Sequence, residues 1–554
     1  MSKYAVGIDF GTLSARALIA EIGTGRELAS VTMNYPHGVM DERLPDGTPL
    51  PPDWALQHPQ DYLDCLKYVV PETLKQAGVS AEDVIGVGVD FTSCTVLPTN
   101  KNLTPLCLLP EYAARPHAYV KLWKHHGAQD EANRMTEIAK KRGESFLARY
   151  GGKVSSEWMI PKIWQTLNED EEIYRSAARF IEAGDWIVAL LTGHEARSCS
   201  MAGYKAFWQK KEGFPSNEFF AALDPRLEHV IDEKIGRDLL PVSTLAGYMT
   251  DLGASLTGLL PGTAVGVAQL DAHVAIPAAG ITGPGKLLMI MGTSACHLML
   301  SDEEHIVPGM CGVVEDSVIP GLLCYEAGQC CMGDHYNWFV DHCVPEPYMT
   351  EAHKRNLDAH RLLTEKASCL RPGESGLIAL DWWNGNRSVL MDADLTGMIM
   401  GMTLTTRPEE IYRALIEATA YGTRMILDTF AENGVIADEL YACGGIAQKN
   451  AFLMQIYADV LGREIRVARS SQTPALGAAM LGAAAAGSKA GGYDSIEDAA
   501  REMGGVREQT YRPDEAAHAV YEKLYREYVL LHDFFGRGGS DVMKRLKRIK
   551  SEAR

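Results

Sequence analysis

No two of the 12 cysteines stand at C-x-x-C spacing, which removes the zinc-ribbon and dithiol redox classes and leaves reduced, mostly structural thiols as the expectation. No apolar run reaches the ~20 residues a membrane-spanning helix needs; the longest, such as Leu287 to Leu300, are shorter. The opening MSKYAVGIDF enters an apolar strand without the charged start, apolar core and small-residue cleavage site of a secretory signal. A cytoplasmic location and no membrane partner are expected. An excess of positive charge is also missing: 53 Lys and Arg against 72 Asp and Glu give a net charge of -19. That balance argues against a nucleic-acid partner, which needs a basic face. It does not exclude a small phosphate-bearing ligand, which backbone N–H groups and a metal ion can hold.

What is present is an ordinary globular composition, 46% hydrophobic and 23% charged. At 554 residues the chain exceeds one hydrophobic core, so two large domains with a cleft between them are expected. The basic run MKRLKRIKSEAR near the C-terminus places Leu546 and Ile549 on one helical side. It reads as a solvated helix end whose cations suit the helix dipole.

Residues 4 to 22, YAVGIDFGTLSARALIAEI, read as two apolar strands joined at Gly11-Thr12. KLLMIMGTSACHLMLS, residues 286 to 301, repeats the shape around Gly292-Thr293, which predicts an internal duplication. Helical patterns such as Pro59 to Leu74 and Pro408 to Phe430 alternate with short strands, as in a layered α/β domain. The glycines of DLGASLTGLLPGTAVG set the expected boundary near residue 255, giving domains 1–255 and 256–554. The stretch LGAAMLGAAAAGSKAGG predicts a helix packed closely on a sheet through small residues.

Four constellations carry chemistry. IDFGTLSAR is either a plain hairpin turn or a phosphate site in which Gly11 would let phosphate oxygens approach the main chain, Thr12 and Ser14 would offer hydroxyls, Arg16 would offset negative charge, and Asp9 would orient a magnesium ion through water. In GTSAC, Gly292, Thr293 and Ser294 repeat the turn, but Ile290 stands where the first copy has Asp9, an asymmetry that suits one nucleotide. In YACGGIAQKN, Gly444-Gly445 is either a plain strand-to-helix turn or a flat backbone surface for adenine. In GTAVGVAQLDAHVAIPAAG, Asp271 ends an apolar strand. It is either an N-cap or the carboxylate that takes the hydroxyl proton in phosphoryl transfer to an alcohol, with His273 as the fallback base. His335, Trp338 and His342 are expected to be packing residues, because no third metal ligand lies at informative spacing.

Together these motifs, with SSEWMIPKIWQTL and GGIAQKNAFLMQIYADVL, resemble the two signatures of the FGGY family of carbohydrate kinases, over essentially the whole chain. The resemblance implies two actin/hexokinase-like, ribonuclease H-like α/β domains around a cleft, ATP as cofactor with Mg2+, and a small sugar as substrate. It implies that both hairpins bind the ATP phosphates, that Gly444, Gly445, Lys449 and Asn450 flank the adenosine, and that Asp271 is the base. It places Ser93, Lys205, Glu326 and Gln329 with Asp271 on the substrate side. VDFTSCT, LLPEYAARPHAYVKLWKHH, EAGQCCMGDHYNWF and DWWNGNRSVLMDADLTGMIMGMTL resemble the family members that phosphorylate ribulose, with L-ribulose, D-ribulose and ribitol left open. Trp123-Lys124-His125-His126 replaces the Arg-Arg-Thr segment expected for glycerol, and Gln269-Leu270-Asp271-Ala272 replaces the Gly-Gly-Asp-Asn expected for xylulose. A homodimer is the base-rate expectation. An actin-like or Hsp70-like ATPase would hydrolyse ATP without sugar, and a sugar sensor would bind sugar without product.

Overall fold

The computed structural model describes residues 2–553 and divides into two compact units. Unit 1 holds the chain up to Pro284, Val313–Cys324 and Gln472–Gly505; unit 2 holds Gly285–Gly312, Tyr325–Ser471 and the chain from Val506 on. The division therefore falls after Pro284, not near residue 255, and it is not a single cut. The glycine-rich segment that suggested 255 lies inside unit 1, where it forms the helix Asp251–Thr257 and a sheet strand. Its glycines cap that helix and turn the chain; they do not end a domain.

The sheet of unit 1 is built from β1 (Tyr4–Phe10), β2 (Ser14–Glu21), β3 (Glu27–Asn34), β4 (Val84–Phe91), β5 (Leu245–Tyr248), β6 (Ala264–Gly266) and β7 (Gln269–Leu270). Its order is β5-β6-β4-β1-β2-β3, with β7 also paired to β4. β1, β2 and β3 pair antiparallel, whereas β4 runs parallel to β1, β6 and β7. The central strands are buried along nearly their whole length, so they read as continuous apolar runs without alternation.

The helix Thr473–Ala486 lies on this sheet at backbone distance, as the small-residue pattern predicts. A Cβ at Gly7 would stand 1.8 Å from the Ala475 carbonyl oxygen, and one at Gly88 1.9 Å from that of Ala478. Glycine on the strands and alanine on the helix are thus two halves of one fit.

Unit 2 repeats the plan with β8 (Lys286–Met291), β9 (Ala295–Ser301), β10 (Leu323–Gln329), β11 (Glu439–Cys443), β12 (Ile465–Ala468) and β13 (Val506–Tyr511). They follow one another as β10-β9-β8-β11-β12-β13. Again a hairpin leads, two parallel strands follow, and an antiparallel strand closes the row. The internal duplication inferred from the two glycine turns is therefore a duplication of sheet topology. The helix Pro408–Glu432 meets this sheet where Thr419 O and the Thr423 hydroxyl bond Gln329, and the helix Glu515–Gly536 is joined to it where Tyr521 bonds both Arg413 and Glu417.

In the C-terminal helix Val542–Glu552, Lys544 pairs with Asp392 and Lys547 with Asp394. Leu546 and Ile549 share a side but are 60% and 59% exposed, while Met543 is the buried residue. No helix among the described residues is long and apolar enough to cross a membrane.

Candidate active site

Three neighbouring strands of unit 1 end in aspartates at their carboxyl edge. Asp9 on β1 is the register partner of Asp90 on β4, and Asp90 is in turn opposite Gln269 on β7. Past the strand ends the pairing continues, with Thr92 N–H donating to Phe10 O at 3.1 Å and Asp271 N–H to Phe91 O at 3.0 Å. Asp9, Asp90 and Asp271 are thereby lined along the carboxyl edge, where ligands of open α/β sheets bind.

These carboxyls are not equivalent. Arg16 on β2 is turned inward and donates from Nη1 to Asp9 Oδ2 at 3.3 Å, while its Nε binds Thr32. Its charge answers Asp9, the expected magnesium ligand, before any phosphate. Asp90 is wholly buried and accepts no hydrogen bond from the described residues. The polar group in reach is the Asp9 carboxyl, so a proton shared between the two is the bond open to it. Burial, then the Asp9 charge and then that of Asp271 push Asp90 well above the usual carboxylate range. Burial also raises Asp9, and Arg16 opposes that rise. Sequence reading missed Asp90, although VDFTSCT contains it.

Asp271 does not cap a helix. The short helix Ala275–Ala278 begins after Val274, and the Asp271 carboxylate accepts a local bond from Ala272 N–H at 2.7 Å. His273 is buried with its ring centroid 4.4 Å from that of Tyr204, a packing position.

The turn 11–14 is held from behind. Gly11 N–H bonds Ser14 O at 2.9 Å; Gly11 O accepts from the Tyr35 hydroxyl at 3.0 Å and Thr12 O from Gln57 Nε2 at 2.7 Å. With the carbonyls drawn inward, the N–H groups of Thr12 and Leu13 have no acceptor among the described residues. A Cβ at Gly11 would meet only Ser14 O, at 3.4 Å, so packing does not demand this glycine and open space lies beside it. The copy in unit 2 is one residue shorter: Met291 pairs with Ala295 across Gly292, Thr293 and Ser294, whereas Phe10 pairs with Ala15 across four residues. Leu13 is the extra one, 61% exposed. At this second turn the carbonyls of Gly292 and Thr293 accept from the N–H groups of Met332, Gly333 and Asp334 and Gly292 N–H bonds Ser294 O at 3.0 Å, while the N–H groups of Thr293 and Ser294 have no acceptor among the described residues.

Gly444 and Gly445 differ. Gly444 has φ 94° and ψ 167°, and a Cβ there would sit 2.5 Å from Met291 O. Gly445 opens the helix Gly445–Lys449, and a Cβ on it would meet nothing within 4 Å. Lys449 is exposed, and the Asn450 side chain caps the helix Ala451–Leu461 through Leu453 N–H.

Of the expected sugar-side residues, Ser93 is half-buried in the turn after β4, beside Cys94 at φ 52°. Lys162 secures that turn, its ammonium donating to Cys94 O at 2.7 Å and Leu122 O at 2.8 Å. Lys205 is buried on the helix Cys199–Ala206, and Glu326 is buried on β10. Gln329 is a correction. Its Nε2 donates to Asp381 Oδ2 and Thr419 O, and its Oε1 accepts from Thr423 and meets His297 Nε2. The amide is saturated inside unit 2 and has nothing left for a sugar. Burial lowers His335 to about 4, and its Nε2 faces Leu415 O, as fits a packing residue. Unit 1 thus carries Asp9, Gly11, Thr12, Ser14, Arg16, Ser93, Lys205 and Asp271; unit 2 carries Gly292, Thr293, Ser294, Glu326, Gln329, Gly444, Gly445, Lys449 and Asn450.

A duplicated α/β plan with a glycine turn at the head of each copy and carboxylates at the strand ends is that of the actin/hexokinase-like fold, to which sugar kinases belong. Residues 4–276 match the N-terminal domain and residues 287–486 the C-terminal domain of the FGGY family of carbohydrate kinases, and the chain belongs to that family. It is therefore an ATP-dependent carbohydrate kinase. A ribulokinase of Halalkalibacterium halodurans is 58% identical over 99% of this chain and 98% of its own length, and one of Mycolicibacterium smegmatis 47% identical over 100% and 97%. Among solved structures, a xylulose kinase from Rhodospirillum rubrum superposes with a TM-score of 0.76 at 23% identity, covering 96% of this chain and 98% of its own. At that identity the likeness speaks for the fold.

Proposed function

We propose that this kinase phosphorylates ribulose, L-ribulose foremost, at the 5-hydroxyl, giving ribulose 5-phosphate and ADP in the breakdown of arabinose. The observation that carries the reading is 54–58% identity to four proteins named ribulokinase, over 97–100% of the chain. Asp271 accepts the hydroxyl proton as the sugar oxygen attacks the γ-phosphorus and ADP leaves. The outward N–H groups of the turns 11–14 and 292–294, with the hydroxyls of Thr12, Ser14, Thr293 and Ser294, stabilise the charge of the transferring group. Gly444, Gly445, Lys449 and Asn450 bound the adenosine, and Ser93, Lys205 and Glu326 bind sugar hydroxyls. Asp9 holds Mg2+ through water; a carboxylate backed by a second buried carboxyl, Asp90, offers the hard oxygen donors this ion takes. When bound, the ion neutralises charge on the phosphates.

The test is a coupled ADP-release assay with L-ribulose, D-ribulose, L-xylulose, D-xylulose, glycerol and ribitol beside a no-sugar control. Ribulose-dependent turnover is expected. ATP hydrolysis at one rate whatever the sugar would refute the reading in favour of an actin-like ATPase. Asp271→Asn should abolish turnover and leave ATP binding intact; activity within tenfold of wild type would sink the base assignment.

A further inference from the structure

We propose that Trp123 is a positioning residue for phosphoryl transfer, its indole N–H fixing the direction in which the Thr12 hydroxyl gives its proton. The inference rests on the reading of residues 11–14 as a phosphate turn. Trp123 Nε1 donates to Thr12 Oγ1 at 3.0 Å. An indole nitrogen only donates, so in this bond the Thr12 oxygen is the acceptor and its own hydrogen remains to be given elsewhere.

The nearby internal acceptors are already engaged. Thr12 O takes Gln57 Nε2, Gly11 O takes the Tyr35 hydroxyl, and Leu13 O takes Tyr35 N–H at 2.9 Å. Gln57 is itself oriented, since its Oε1 accepts from the Tyr62 hydroxyl at 2.6 Å. No described residue takes the hydroxyl hydrogen of Thr12, which is left, like the N–H groups of Thr12 and Leu13, for an incoming ligand. Three donors at one tip suit the oxygens of a phosphoryl group.

The indole is firmly mounted. Gln57 and Val120 are partners in a short antiparallel pair, Leu122 N–H bonds Ala55 O at 3.0 Å, and the Lys162 ammonium binds Leu122 O. Gln57 and Trp123 therefore reach the turn from neighbouring strands of one small four-stranded sheet. A hydroxyl that would otherwise rotate is held in one orientation before the nucleotide arrives, which spares reorganisation in the reaction.

The experiment is a double-mutant cycle with Trp123→Phe, which keeps the ring and deletes the donor, and Thr12→Val, which deletes the hydroxyl. It reads kcat, KM for ATP, and the Kd of ribulose by calorimetry. Trp123→Phe is expected to lower kcat/KM for ATP about 5- to 10-fold, the scale of one neutral hydrogen bond. Thr12→Val should cost at least as much, the double variant no more than Thr12→Val alone, and Thr12→Ser should recover most activity; the ribulose Kd should not move. Fully additive losses, or a Trp123→Phe defect confined to ribulose binding, would overturn the inference while leaving the phosphate-turn reading standing. A silent Thr12→Val would overturn both. If Trp123→Phe does not fold, Trp123→Met, which fills part of the space and has no N–H to donate, takes its place in the cycle: coupling to Thr12→Val supports the inference, and additivity refutes it.

Discussion

The paired glycines at 444 and 445 separate fold from function, because their surroundings differ while their chemistry does not. Alanine at 445 enters the first turn of a helix, at negative φ, with no atom within 4 Å of its Cβ. Replacing glycine there should raise stability by about 0.5–1 kcal/mol on helix propensity alone. Alanine at 444 must adopt φ 94°, ψ 167°, a region only glycine populates, at about 1–3 kcal/mol for the backbone, with its Cβ 2.5 Å from Met291 O in addition. If the open face of Gly445 is where adenine lies, the added methyl stands in its plane. We expect Gly445→Ala to melt no lower than wild type and yet raise KM for ATP at least tenfold, about 1.4 kcal/mol, with the ribulose Kd unmoved. Gly444→Ala should lose stability first. The assays are thermal melting and initial rates across an ATP series. A Gly445→Ala enzyme with wild-type KM for ATP would show that the open face serves no nucleotide and that the glycine pair is only a turn.

Two further outcomes follow from buried groups. Burial raises Asp381 to about 6, against which the hydrogen bonds from Gln329 and then Tyr528 work. Between the unfolded value of 3.8 and about 6 the folded state holds the extra proton, so this group stabilises below pH 3.8 and that contribution, about 3 kcal/mol, is lost as pH rises through 6. Asn can accept from Gln329 and donate to the Tyr528 oxygen, so Asp381→Asn should flatten the melting profile between pH 4 and 6 and be no less stable at pH 7; an unchanged slope would contradict this. On the sheet of unit 1, Gly88→Ala would force a Cβ to 1.9 Å from Ala478 O, and overpacking of this kind costs about 1–3 kcal/mol or more. A fall of several degrees in melting temperature is expected, and an unchanged melt would show that the helix Thr473–Ala486 can lift without loss.

What was legible in the sequence is what short segments determine. The two hairpins, their glycine turns, Asp9, Asp271 and the small-residue helix each announce themselves within 20 residues, and the structure finds each element where the pattern puts it. What was hidden depends on partners far along the chain. Asp90 reads as one more residue of an apolar strand until register sets it beside Asp9. Gln329 reads as a sugar ligand until Asp381, Thr419 and Thr423 close around it. The extra residue at Leu13 was within reach: counting GTLSAR against GTSAC from both ends isolates it. The boundary was misplaced because glycine marks turns inside a domain as readily as between domains.

The helix Thr473–Ala486 has a consequence for how the protein is made. The strands it covers are all complete by residue 270, but the helix is encoded after residues 285–471, which apart from 313–324 belong to the other unit. At about 5–20 residues per second, the glycine-lined face of β1 and β4 waits roughly 10–40 s on the ribosome for its cover. Unit 1 comes first in the message, yet its core can close only when synthesis is almost over.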